Sequence, residues 1–262
     1  MSESAAGVDF DAAPWTYPGR IQPGSHLVLP WCEHELRLQP GGLAQARVMA
    51  CERCGTPPST LDDTLAGYGA APVRARMPLV AVGSNGSAEV LRGKLHRANL
   101  RAVVPTLDAR VHNVRPGHSA HVSRPGFVPA APAHLDGEIA SVKVSLVDSA
   151  ELGRIDLTEP NYRRQLLSGQ RYPLELDDGA SIGSFWIYES HWGVLAENRV
   201  PISLLPQSDL ANWFSARGLG PWHEWPMEEA MRVLASMEQL RTAAREAFVQ
   251  AGLRTGSDLV HQ

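Results

Sequence analysis

Two stretches of this chain combine residue types suited to acyl chemistry. The first is Gly83-Ser84-Asn85, directly after the apolar run Pro78-Leu79-Val80-Ala81-Val82 and ahead of a segment with helical spacing. A glycine-containing loop between a strand and a helix can turn successive backbone N–H groups toward a carboxylate or a polarised carbonyl oxygen. Many such loops carry Gly, Ser and Asn for turn reasons alone. The second stretch is Asp156-x-x-Glu159-x-x-Tyr162. A carboxylate at a helix end, next to an aromatic ring and partly desolvated, gains the basicity of a general base. On residue type alone, Glu159 reads equally as a surface partner of Arg163 or Arg164.

Two further groups have ligand chemistry. Cys32-x-His34 and Cys51-x-x-Cys54 together make a Cys₃His set, which suits tetrahedral zinc. Buried thiols or a redox pair are the alternatives, and a thioredoxin-type role is excluded because no βαβ pattern surrounds the pair. His112, His118 and His121 have no carboxylate at a telling spacing. They read as polar residues at strand ends or a pocket wall, with His121 the first to test because it lies near the Gly126 loop.

Short strands and a few helices must position these groups. Strands are expected at His26–Leu29, Met77–Val82, Arg101–Val104, Ala109–Val114, His118–Ser123, Ile139–Val147, Tyr172–Leu176, Ser184–Tyr188, Val194–Leu195 and Val200–Leu205. In Ile139–Val147, Val142, Val144 and Leu146 share one face, with Lys143 and Ser145 on the other. Ser87 is expected to cap a helix through Leu95, and Asp148 a helix over Ser149–Asp156. Residues 1–25 read as a poorly ordered arm, Gln39-Pro40-Gly41-Gly42 as a turn, 51–67 as loop and 69–76 as a linker. From Ser208 the character becomes helical. A short helix ends near Arg217, and Pro226 opens one long helix whose stripe runs Met227, Met231, Leu234, Met237, Leu240, Ala244 and Phe248 to a stop at Gly252. Trp213, Trp222 and Trp225 read as packing of these helices.

The order of motifs resembles that of gamma-glutamylcyclotransferase-like proteins. It comprises a Gly-Ser-Asn loop after the first core strand, a Gly126-Phe127-Val128-Pro129 loop, a strand, a short helix, and then Asp156-x-x-Glu159-x-x-Tyr162. The resemblance covers about residues 77–205. It implies an α+β fold with a small mixed, barrel-like sheet and flanking helices. Around that core, the residues themselves lead us to expect an N-terminal arm with a small zinc-binding module (1–76) and a C-terminal helical extension (206–262), with the family-like core at 77–205. The resemblance assigns Val82, Gly83, Ser84 and Asn85 to the substrate-holding loop, Glu159 to the catalytic acid/base and Asp156 to a flanking position. Phe127, Tyr162 and His121 join the substrate pocket. Val82 stands where the family usually has Tyr, and Pro160 replaces a usual Gly. The implied reaction cyclises a gamma-glutamyl amine or amide to 5-oxoproline and needs no cofactor. The competing expectation is a non-catalytic ligand-binding or assembly module on the same fold.

The bulk properties agree with a folded small-molecule protein. The chain has 262 residues, a 44% hydrophobic fraction and a net charge of −4. No basic patch points to nucleic acid, and no apolar run reaches membrane-spanning length. No secretory leader pattern is present in the first residues, so a cytoplasmic location is expected. Lys94 and Lys143 are the only lysines, a bias read here as coding background.

Overall fold

The computed structural model describes residues 8–39, 41–51 and 54–261. The first residues of the arm, Pro40 of the expected turn, and Glu52 and Arg53 between the paired cysteines lie outside the described residues. In chain order the main elements are β1 (His26–Val28), β2 (Glu33–Arg37), β3 (Arg47–Val48), β4 (Ser59–Thr60), α1 (Leu61–Gly67), β5 (Met77–Ala81), α2 (Ala88–Arg97), β6 (Val104–His118), β7 (Ala130–Val147), α3 (Ser149–Asp156), β8 (Tyr162–Ser168), β9 (Leu174–Leu176) and β10 (Ser184–Ser190). They are followed by β11 (Val194–Glu197), β12 (Val200–Pro201), α4 (Gln207–Ser215), α5 (Gly220–Glu224), α6 (Met227–Ser236), α7 (Glu238–Gln250) and β13 (Arg254–Thr255).

The fold is α+β, built on one mixed sheet in the order β4-β3-β2-β1-β6-β7-β5-β10-β8, with β9 also paired to β6. Barrel-like closure is not seen among the described residues. The hydrogen-bonded path is open, and its ends, β4 and β8, pair with one neighbour each. The backbone of the sheet is the β6–β7 hairpin, bulged between His112 and Val114, which replaces the several short strands expected there. Proline, glycine and polar residues within 104–118 and 130–147 mask two long strands from a search for apolar runs. The pairing of β10 with β5 is parallel.

The N-terminal strands extend the same sheet, because β1 pairs antiparallel to β6. The segment that carries the thiols shares the main core. Leu27, Leu36, Val48, Leu61 and Leu65 are buried in the main apolar cluster with Val80, Leu107, Val144 and Phe185. The expected loop at 51–67 contains α1. Its Thr60 cap accepts the Asp63 N–H, and Asp62 and Asp63 oppose the helix dipole, a signature hidden by the helix's seven-residue length.

Both faces of the central strands are covered. Val28, Leu79 and Val147 pack under α2 and α3 with Leu91, Leu95 and Leu152, opposite the main cluster. All of Val142–Val147 is therefore buried, including the Lys143 face expected to be polar. Lys143 is reached there by the arm: its ammonium donates to the Gly24 carbonyl at 2.9 Å and pairs with Asp108. α3 forms where expected, with a complete capping box between Asp148 and Glu151.

The expected long C-terminal helix is two. At Met237 the backbone is extended (φ −131°, ψ 105°), and Arg241 donates to the freed carbonyls of Leu234 and Ala235 at 2.6 and 2.9 Å. Helices α4 to α7 close over Phe214, Trp222 and Phe248, whose rings stack at 4.3–6.0 Å. Among the described residues, no helix is long and apolar enough to cross a membrane.

Candidate active site

The Gly83–Asn85 loop leaves β5 and makes a single 3₁₀ turn over Ser84–Gly86 before α2. Gly83 is required by close approach. A β-carbon there would lie 2.5 Å from the Tyr17 hydroxyl and 2.8 Å from Ala130 Cβ. Ser87, expected to cap α2, makes no such bond; its hydroxyl is buried without a partner. Glu159 lies in the turn between α3 and β8. Its N–H donates to Asp156 and its carbonyl accepts from Tyr162, at 3.1 and 3.0 Å.

These two loops line one cavity of about 220 Å³. Val82, Gly83, Ser84, Asn85, Phe127, His121, Glu159 and Tyr162 all contribute to its wall. Asp156 stands behind it, accepting from the Tyr188 hydroxyl at 2.8 Å and pairing with Arg164 at 3.2 Å. The surface pairing of Glu159 with Arg163 or Arg164 is not what forms. Glu159 Oε1 accepts from Asn85 Nδ2 at 3.0 Å and from Lys94 Nζ at 2.5 Å. Lys94 also donates to Asn85 Oδ1 at 2.8 Å, which closes a triangle. Both charged side chains are largely buried, at 10% and 14% exposure, so the pair is held far more firmly than one in open water. Oε2 accepts no hydrogen bond among the described residues.

Lys94 was missed from sequence, and so was Tyr17. Lys94 sits on α2, two turns beyond the loop it serves. Tyr17 comes from the arm expected to be poorly ordered. The ring is buried, stacks on Phe127 at 4.2 Å and meets Phe10 at 5.6 Å. Its hydroxyl accepts the Ala130 N–H at 2.8 Å. The arm thus supplies an aromatic ring to the Gly83–Asn85 loop. Tyr162 donates to the Ala130 carbonyl at 2.8 Å. Burial raises the pKa of both phenols well above the ordinary tyrosine range; the Glu159 carboxylate adds to this at Tyr17, and at Tyr162 first Tyr17 and then Glu159 add to it. Both remain protonated hydrogen-bond donors.

The three histidines separate. His112 approaches Glu175 at 3.6 Å. His118 Nε2 accepts the Leu205 N–H at 2.9 Å. His121 lines the cavity, with Nδ1 2.6 Å from the Ser119 hydroxyl, itself 2.6 Å from Ser190; its Nε2 is buried without a partner. Burial lowers His118 to about 4; burial and then Arg245 lower His121 to about 3. Both are neutral in the fold and both titrate near 6.5 when unfolded. Their contribution to stability is therefore complete above pH 6.5 and is lost as pH falls from there toward 4 and 3, at about 1.4 kcal/mol per pH unit for each. Acid unfolding is expected to begin just below pH 6.5 and steepen, and His118→Gln is expected to flatten it. A denaturation midpoint unchanged between pH 7 and pH 5 would exclude this account.

The fourth group does converge. The ligand atoms of Cys32, His34, Cys51 and Cys54 all lie within 4.8 Å of one another. Burial pushes the Cys32 thiol up to about 12. Cys54 is raised by burial, but the Thr56 hydroxyl and N–H and the neighbouring thiols more than offset this and bring it to about 6.

No family model matches the chain, and no curated protein matches it. Part of the chain is similar in structure to a solved gamma-glutamyl cyclotransferase. That match has a TM-score of 0.35 and 14% identity, and covers 44% of this chain and 66% of the other. Two Arabidopsis thaliana proteins solved in solution are similar over comparable lengths. One has a TM-score of 0.34 and 18% identity, covering 44% of this chain and 62% of its own. The other has a TM-score of 0.34 and 14% identity, covering 55% and 84%. For the cyclotransferase and the first Arabidopsis protein, the match spans just under two thirds of the neighbour's length.

Proposed function

We propose that this protein cyclises a gamma-glutamyl amine or amide to 5-oxoproline, with Glu159 as the acid/base. The observation that carries the reading is the shared cavity: a largely buried carboxylate with one free oxygen faces the Gly83–Asn85 loop that the motif order assigns to substrate. Glu159 takes a proton from the substrate's α-ammonium. The freed nitrogen attacks the γ-carbonyl, forming the ring C–N bond. The proton then passes from Glu159 to the departing amine as the original C–N bond breaks, and the extra proton still on the ring nitrogen follows, so the amine leaves as an ammonium and Glu159 returns to a carboxylate. In this reading, backbone N–H groups of the Gly83–Asn85 loop stabilise the developing oxyanion. The aromatic wall of Tyr17 and Phe127 excludes water and holds the chain folded back, which supplies much of the rate of an intramolecular reaction. Lys94 is placed to receive the substrate's α-carboxylate, exchanging one carboxylate partner for two.

The test is 5-oxoproline formation from a panel of gamma-glutamyl amines, amides and peptides, followed by mass spectrometry together with amine release. At least one member is expected to react. The second reading, a ligand-binding module, is favoured by the Lys94–Glu159 pair, which engages one carboxylate oxygen before any ligand arrives. Its signature is a thermal shift with panel members or 5-oxoproline and no turnover. The absence of both turnover and binding across the panel would sink the cyclotransferase reading.

A further inference from the structure

We infer that Cys32, His34, Cys51 and Cys54 form a closed structural zinc site, independent of the cavity around Glu159. Tetrahedral zinc with ligands at about 2.0–2.3 Å sets its ligand atoms roughly 3.5–3.8 Å apart. Here Cys32 Sγ is 3.4 Å and Cys54 Sγ 3.1 Å from His34 Nε2, and the whole set falls within 4.8 Å. Four donors from two separate segments therefore already surround a space of the right size.

The local backbone explains why two unequal spacings meet. The one-residue gap in Cys32-x-His34 is that of an extended chain, in which alternate side chains share a face. His34 lies in β2, and Cys32 immediately precedes it, so both point inward; they are 1% and 6% exposed. Cys51 and Cys54 sit on a tight turn. The Gly55 N–H donates back to the Cys51 carbonyl at 2.9 Å, and Gly55 adopts φ +71°, which glycine tolerates. The turn directs both thiols toward β2.

The histidine is set for metal rather than for a thiol. His34 Nδ1 lies 3.2 Å from the Met49 carbonyl. Donation there fixes the proton on Nδ1 and turns the Nε2 lone pair to the sulfurs, the outer bond that metal-ligating histidines make. The three cysteines form no disulfide. With three thiolates and one imidazole, the ligand set fills a tetrahedron and leaves no position for substrate, so the site is structural. Its place in the fold gives it work. Arg92 of α2 donates to the Leu29 and Cys32 carbonyls at 2.9 and 3.4 Å and pairs with Glu33. Fixing Cys32 and His34 thus anchors the middle of the helix that carries Lys94.

The decisive experiment measures metal in full-length protein purified with a phosphine reductant and no chelator. About one zinc per chain is expected, with the thiols unreactive to Ellman's reagent until a strong chelator is added. Exchange with cobalt should give the thiolate charge-transfer band and the intense visible bands of a tetrahedral site. Cys54→Ser, at an exposed position, should lose the metal and lower the melting temperature while remaining folded by circular dichroism. Reduced protein that holds no zinc and gives no cobalt spectrum, or zinc retained unchanged in a Cys51→Ser/Cys54→Ser double variant, would overturn the assignment.

Discussion

Glu159→Gln is expected to lower turnover by about 10²–10⁴-fold, the usual contribution of a positioned acid/base. The amide matches the carboxylate in shape, and its oxygen can still accept from Asn85 Nδ2 and Lys94 Nζ. What it loses is the ability to accept a proton at the second oxygen position. The loss should therefore appear in kcat, with substrate binding and melting temperature little changed. Lys94→Met should behave differently. It removes the cation placed to meet the substrate's carboxylate, so KM should rise more than kcat falls. Both comparisons need a substrate from the panel. An unchanged rate of 5-oxoproline formation by Glu159→Gln would remove Glu159 from the chemistry.

Gly126→Ala is expected to destabilise the fold by about 3 kcal/mol or more, as a clash between backbone segments combined with a disfavoured φ. Gly126 has φ +100°, and a β-carbon there would lie 2.1 Å from the Met231 carbonyl oxygen and 2.9 Å from its carbon. These are atoms of α6, so no side-chain rotation relieves the contact. The helix must move, and with it the loop that presents Phe127 to Tyr17. Chemical denaturation should show a lower midpoint at an unchanged slope. Gly179→Ala is the control, since its φ is also positive, at +83°, but nothing lies within 4 Å of the added carbon. Equal losses in the two variants would mean that strain alone, and not the approach of α6, sets the cost.

What could be read from the residues depended on range. The α3 helix was legible because its capping box and apolar face are all local. Glu159 and the Gly83–Asn85 loop were legible as motifs, though only the β5–β7 pairing and the α3–β8 turn bring them to one cavity. Lys94 was not legible, because its role depends on a partner 65 residues away. One signal was available. The chain has only two lysines, both largely buried and paired with carboxylates, a pattern that coding background does not explain. Tyr17 was hidden by its setting among Pro, Gly and Ala, where composition suggests disorder while one aromatic anchor determines order. The C-terminal stripe is legible as apolar, but periodicity cannot reveal that Arg241 turns back to end α6.

The parallel pairing of β10 with β5 has a consequence for how the protein reaches its working form. The β6–β7 hairpin joins neighbouring segments and can form early. Val80 and Ile187, aligned across the parallel pair, are separated by most of the sheet-forming sequence, and such a closure carries a large entropic cost before any contact rewards it. Both residues line the cavity with Glu159. The pocket is thus assembled from the first and last strands of the core and cannot exist in a partly folded chain that has only the hairpin. A ligand that fills it engages the native state alone, so its binding energy should oppose opening of the whole sheet rather than of one loop.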